Sequence, residues 1–371
     1  MEFNIKDQYR MMIECATDGQ NTVMYDEFGN PNIMVWVCKD TYENVCNRGD
    51  AETAKKTGPL PAFITEGKEI DGFWISKYSN CRGSGGVPVS FPDTFPYTGW
   101  NFTEAKNLCR KKGKGWHIMT NFEYMAIVCN HFNRAQEGPW SGNNVGDTTT
   151  STSCIVTGIS NKAGIIKSGS GGIVTTHDFS TAGIYDLFGN TWEFCDGWKQ
   201  DTKTGNVWSH GQSMDELMNL PFSDKYVMSP FQFNCLSNDA KQLCIDDSDD
   251  DPHIPTTNTG FTMYQVPLSV VKLNSGDFGA SKDVRKYEAI AMGIIPPDAD
   301  TTTIDNWDIK NVKPICKFAL NSKVKAGEEY VRIIRGGDTN LGAHPLTYDS
   351  LYRDSDHYTC ISCRSVYIGE V

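Results

Sequence analysis

Residues 133–182 and 199–325 are dense in Gly, Ser, Thr and Asn, and this texture constrains the fold more than any other feature of the chain. Such stretches form turns and leave room only for short strands. A βαβ fold needs strands alternating with helices, and a bundle needs long segments of 3.6-residue period; neither fits here. Two helical patterns stand out. In NFTEAKNLCRKKG (101–113), Asn101 or Thr103 can cap, Glu104 sits in the first turn, Ala105, Leu108 and Cys109 face a core, and Gly113 stops the helix. In NFEYMAIVCNHF (121–132), Asn121 reads as the cap, and Tyr124, Ile127, Val128 and His131 share one face, with His131 packed or capping. The expected class is α+β: two helices around short antiparallel sheets, with long loop insertions.

Strand signals fill the N-terminal third. NTVMYDEFGNPNIMVWVCK alternates around FGNP and reads as a hairpin or a loop-linked strand pair. In PLPAFITEGKEIDGFWISKYSN (59–80), Phe63, Ile64, Ile70, Phe73, Trp74, Ile75 and Tyr78 make two strands about a Gly-Lys turn. The chain then divides into a β-rich segment, 1–57, suited to docking or oligomerisation, and a main domain, 58–371. Within that domain 199–325 is an insertion, and 326–371 holds the closing strands.

Charge and composition exclude several classes. The net charge is −12 with no basic stripe, so neither nucleic acid nor an anionic membrane surface is an expected partner. No run approaches the length of a membrane-spanning helix. The N-terminus lacks a basic start followed by an apolar stretch, which points to synthesis in a cytoplasm without a signal peptide. Thirteen cysteines, an odd number without paired spacing, read as reduced thiols. The Cys360–Cys363 CxxC has no second pair to complete a zinc ribbon. The DDSDDDPH run (246–253) lacks EF-hand spacing and reads as a solvated loop.

The segment GIYDLFGNTWEF (183–194) resembles the GLYDMxGNVWEW signature of the formylglycine-generating enzyme family, a branch of the C-type lectin fold. The resemblance extends, in the family's order, to FWISKYSN, to NFTEAKNLCRKKGKGWHIMTNFEYMAIVCN and to the terminal RIIRGGDTN…CISCRSVYI. It implies a C-type lectin-like domain over 58–371. The enzymes of that family oxidise a substrate cysteine with two reactive thiols and copper. Here Cys363 falls where the family's closing strand has a core Phe, a position without access or a lowered thiol pKa. The iron-dependent relatives carry a His-x-x-x-His-x-Glu cluster, and the seven histidines show no such spacing. The expectation is a protein that is not an enzyme and requires no cofactor.

ATDGQNTVMYDEFGNPNIMVWV followed by PAFITEGKEIDGFWISKY, GKGWHIMTNFEYMAIVCN followed by GNNVGD, and RIIRGGDTNLGAHPLTYDSLYRDSDHYTCISCRSVYI together resemble the variable proteins of diversity-generating retroelements in phages and prophages. There, error-prone copying rewrites AAY codons in a C-terminal cassette, and Lys, Glu, Gln, Met and Trp are unreachable from those codons. These five types make up 69 of the 371 residues, yet none occurs from 338 to 369. The alternative is a β-rich terminus that happens to favour Tyr, Ser, Thr and Asp. The resemblance implies a ligand-contacting set of Asp338, Asn340, His344, Tyr348, Asp349, Tyr352, Asp354, Asp356, His357 and Tyr358. Tyr with Ser, Asp and Asn is also the composition of antibody contact surfaces. Under the same resemblance, 183–198 is scaffold: Gly183 and Gly189 turn, while Tyr185, Phe188, Trp192 and Phe194 fill the core. Related members hold Ca2+ in this turn, and the matching ligands are Asp186, the carbonyls of Gly189 and Thr191, and Glu193; otherwise both acids accept backbone N–H bonds. The function expected is that of a phage receptor-binding protein on the virion, taking a host cell-surface protein or glycan, contacting other tail proteins and able to form a homo-oligomer. Two rivals are a structural virion component (tail collar or head decoration) and an oxidase of the formylglycine-generating type.

Overall fold

The computed structural model describes residues 5–46, 58–65, 68–131, 164–201 and 357–369 continuously. Shorter stretches are described at 140–141, 154–155, 158–159 and 161, with strand backbone at 206–209, 227–233, 254–256, 261–266, 271–273, 318–321, 330–338 and 342–351. The elements that build the site are, in chain order, α1 (Ile5–Ala16), β1 (Asn21–Tyr25), β2 (Pro31–Cys38), α2 (Tyr42–Cys46), β3 (Gly72–Ser76), α3 (Phe102–Arg110), β4 (Trp116–Ile118), α4 (Asn121–Asn130), β5 (Trp192–Asp201), β6 (Tyr330–Asp338), β7 (Gly342–Leu351), β8 (Ile361–Ser362) and β9 (Ser365–Tyr367). The fold is mixed α+β, and the described residues hold four α-helices rather than the two expected.

The N-terminal segment, expected to be β-rich, opens with α1. Tyr9 and Ile13, one turn apart, pack on Val23, Ile33 and Tyr78. Their i,i+4 spacing is the only core-facing period in that helix, because Ile5, Met11 and Met12 point outward. The FGNP hairpin is as expected. Asp26 shapes its turn, its carboxylate accepting the N–H groups of Phe28 (3.0 Å) and Asn30 (2.9 Å).

β1 and β2 belong to a five-stranded sheet of order β1–β2–β3–β9–β4, antiparallel throughout. The last strand is thus inserted between two early ones: Val366 lies opposite Ile75 on one side and His117 on the other. The stretch 59–80 holds a short pair, Ile64–Thr65 with Lys68–Glu69, ahead of β3. In a second sheet, β5 pairs antiparallel with β6 and parallel with β8, and β6 with β7 makes an antiparallel hairpin. Strands from the insertion extend this sheet: Asn206–Ser209 pairs with β5, and Phe318–Asn321 meets β7.

Both central helices begin with capping boxes. Asn101 caps α3, its side chain accepting the Glu104 N–H (2.8 Å) while Glu104 accepts the Asn101 N–H (3.1 Å). The cap of α4 is Thr120, one residue earlier than expected. Asn121 is instead the first helical residue, and its carboxamide oxygen accepts the Arg335 guanidinium. The expected single apolar face on α4 is also corrected: Asn121 through Cys129 are all buried. A helix covered on every side needs no polar face. Its acid is partnered internally, Glu123 receiving the Thr120 N–H (2.7 Å) and lying 2.8 Å from His117 Nε2.

A core of Trp100, Phe102, Ala105, Cys109, Ile118, Trp192, Phe194, Ile334, Ile361 and Cys363 joins α3 to both sheets. Phe194 meets Phe102 edge to face at 6.0 Å. Phe194→Ala is expected to lower the unfolding free energy by about 3–5 kcal/mol, and Asn101→Ala by about 1 kcal/mol. Urea denaturation of the two variants beside the parent measures both.

Candidate binding surface and its buried base

The segment 183–198 sits at the junction of the two sheets. Gly183 is required by close approach: a Cβ there would lie 2.0 Å from Asp178 Oδ1. Gly189 has φ +97°, and its N–H donates to the Gly336 carbonyl (2.7 Å), tying the turn to β6. Phe188, Trp192 and Phe194 are buried, and Tyr185 stacks on Tyr78 at 5.2 Å. Two cationic or ring groups hold the turn from outside. Lys77 donates to Asn21 Oδ1 and to the Thr181 carbonyl. His177 Nδ1 accepts the Ile184 N–H (2.9 Å), and its ring meets His131, the C-cap of α4, at 4.5 Å.

The four residues matched to a calcium site divide in two. Asp186 is buried with φ +56°, and its carboxylate accepts the Gly169 N–H (3.2 Å). The Gly189 carbonyl accepts the Thr191 N–H (2.9 Å), while the Thr191 hydroxyl meets that of Ser362 (2.8 Å). Glu193 stands apart on β5. Arg364 grips it with two bonds, Nη2 to Oε1 at 2.7 Å and Nε to Oε2 at 3.0 Å, and Ser79 Oγ adds a third to Oε1 at 2.6 Å. A calcium ion would therefore compete with a guanidinium for that carboxylate. Among the described residues, no group of three His, Cys, Asp or Glu is placed to hold a metal.

Arg364 is the residue that sequence reading missed. It is fully buried, as is Arg335. Beyond Glu193, it donates to the Ser76 carbonyl (2.8 Å), Ser79 Oγ (3.1 Å) and the Tyr185 carbonyl (3.0 Å). A signal was present: an Arg flanked by Cys363, Ser365 and Val366 in a closing strand demands a buried acid. Cys363 itself is sealed in the core. Burial pushes its thiol well above the ordinary value, and a hydrogen bond with Cys109 adds to the shift.

The ten expected contact residues fall on three kinds of ground. Asp338 ends β6 opposite Gly342, and His344, Tyr348 and Asp349 lie on β7, with His344 opposite Gly336 and Asp349 opposite Ile334. These four are placed by backbone register on one hairpin, not on a loop. Asn340, Tyr352, Asp354 and Asp356 lie outside the described residues. His357 is exposed and its Nε2 lies 3.1 Å from Glu104 Oε2, at the capping box of α3. Tyr358 is half-buried against the Trp100–Phe102 core. The ten positions are bracketed by buried strand residues, 332–337 before them and 361–366 after them.

No protein-family model matches this chain, and no curated protein does.

Glu193→Gln keeps the shape of the side chain and leaves Arg364 charged and buried. It is expected to cost about 3–5 kcal/mol, with less than additive loss in the Glu193→Gln/Arg364→Met double variant. Because the counter-charge is a guanidinium, chelation by EDTA is expected to leave the melting temperature unchanged. Lys77 supplies a pH test. Burial pulls its pKa from 10.5 to about 8, against the pull of Asp178. Between those values the unfolded chain holds a proton the folded one lacks, so stability rises with pH from about 8 towards 10. Lys77→Met should flatten that part of a stability–pH curve measured by urea denaturation.

Proposed function

We propose that this chain is a non-catalytic ligand-binding protein of a phage or prophage, with a C-type lectin-like scaffold that presents a replaceable contact surface on residues 338–358. The observation that carries the reading joins composition to position. The stretch free of Lys, Glu, Gln, Met and Trp runs from Tyr330 to Gly369, and the ten contact positions fall in its part between the buried residues of β6 and the buried strand at Ile361. Such a segment can change its side chains while both of its ends stay anchored. Substitutions outside a core shift stability little, and Tyr, Ser, Asp and Asn provide contact area and adaptable hydrogen bonds. The ligand on this reading is a host cell-surface protein or glycan, the location is the virion tail, and the N-terminal 1–57 segment contacts other tail proteins or further copies of the chain. The reading requires no cofactor. The buried, proton-retaining Cys363 weighs against an oxidase that needs a thiolate.

Deep sequencing of this gene in a population of its source tests the proposal. Substitutions are expected to concentrate at 338–358 and to be rare at 183–198 and 361–366. Sparse, even variation along the chain would remove the diversified surface and leave a fixed virion component. For binding, Tyr352→Ala with Tyr358→Ala should abolish attachment to host cells while the melting temperature moves by only a few degrees.

A further inference from the structure

Asp26, Asn32 and Lys112 meet beneath the N-terminal hairpin, away from the surface discussed above. Asn32 and Lys112 are completely buried and Asp26 is 6% exposed. Lys112 Nζ lies 2.8 Å from the Asn32 carboxamide oxygen and 2.7 Å from Ser365 Oγ. The same carboxamide oxygen accepts the Ser90 N–H at 3.1 Å. The carboxamide nitrogen faces Asp26 Oδ2 at 3.5 Å, with the Asn30 carbonyl at 3.2 Å and the Met24 carbonyl at 3.5 Å. An amine, the amide carbonyl it could attack, a donor on that carbonyl oxygen and a carboxylate beside the departing nitrogen are thus held together in a dry site.

We propose that Lys112 and Asn32 react with each other in the folded protein to form an intramolecular isopeptide bond, with Asp26 carrying the proton. The Lys112 nitrogen attacks Asn32 Cγ, and the developing negative charge falls on the oxygen that Ser90 N–H already touches. The Cγ–Nδ2 bond then breaks. A proton from the attacking amine passes through Asp26 to the leaving nitrogen, which departs as ammonia. The reaction is an acyl transfer between two amines and needs no oxidant or co-reactant. Fixed neighbours react as if at very high concentration, and exclusion of water removes the competing hydrolysis.

The electrostatics favour the product. Among the described residues, no carboxylate comes within ion-pair distance of Lys112; besides Asn32 Oδ1 and Ser365 Oγ, Nζ faces the Trp116 ring, 3.9 Å from its centroid. A buried ammonium without a carboxylate partner is costly, and acylation turns it into a neutral amide. Burial also pulls the amine down to about 8, although Cys109, Asp26, Cys363 and Cys81 act in the opposite direction. A fraction of the neutral nucleophile is then present at neutral pH. The bond would close an 80-residue span and fasten β2, and with it α1, to the segment that leads into β4.

The test is intact-mass spectrometry of the purified full-length chain under denaturing, reducing conditions. The expected mass is lower than the sequence mass by one ammonia. A tryptic digest should show a branched peptide joining the Asn32 and Lys112 segments, uncleaved at Lys112. Lys112→Met and Asn32→Ala should each restore the full mass. Full mass in the parent protein, or ammonia loss without the branched peptide, overturns the proposal, and neither outcome depends on a variant folding. Asp26→Asn should leave most molecules uncrosslinked; complete crosslinking in that variant would overturn the role given to Asp26.

Discussion

The structure depends on one buried ion pair, Glu193 with Arg364. The guanidinium also binds the Ser76 carbonyl, Ser79 and the Tyr185 carbonyl, so the end of β3, the turn after Gly183, β5 and the segment leading into β9 all converge on one side chain. Desolvating both charges offsets much of their attraction, so the pair adds little net stability compared with apolar residues of equal size. What it decides is arrangement. A one-residue slip of the closing strand would turn Arg364 to the other face of the sheet and leave Glu193 buried with its charge uncompensated.

The pair also explains why the chain must close on itself. β9 fills the gap between β3 and β4, so the first sheet is incomplete until the last residues arrive. Contacts across nearly the whole sequence, such as Ser76 with Ser365, make for slow, late closure. Lys112 and Asn80 reinforce the same seam, Lys112 through Ser365 Oγ and Asn80 through the Ser365 N–H (2.7 Å). The buried polar network around β9 is therefore continuous, from Asp26 and Asn32 at one end to Glu193 at the other.

This division of labour fits the proposed function. The polar network and the aromatic core hold Arg335 on one side of the C-terminal hairpin and Ile361 to Ser365 on the other. His357 and Tyr358 mark the boundary: one rests on the capping box of α3 and the other leans on the Trp100–Phe102 core.

Local signals in the sequence determined much of the fold class. The FGNP turn and the Asn101 cap with Glu104 act within a few positions, and each appears where the sequence places it. The helix α1 was harder to read because only Tyr9 and Ile13 face the protein, too few to set a period. The cap of α4 is Thr120, whose side chain forms the box with Glu123, and Asn121 instead meets Arg335, more than two hundred residues away. The resemblance put the aromatic residues of 183–198 in the core, and Phe188, Trp192 and Phe194 are buried there while Tyr185 is half-buried. The partner of Glu193 was not, since a carboxylate in a turn looks the same whether it awaits calcium or an arginine. Only the tertiary structure brings Arg364 to Glu193 and Lys112 to Asn32. Both pairings join segments distant in sequence, and no local period or spacing encodes them.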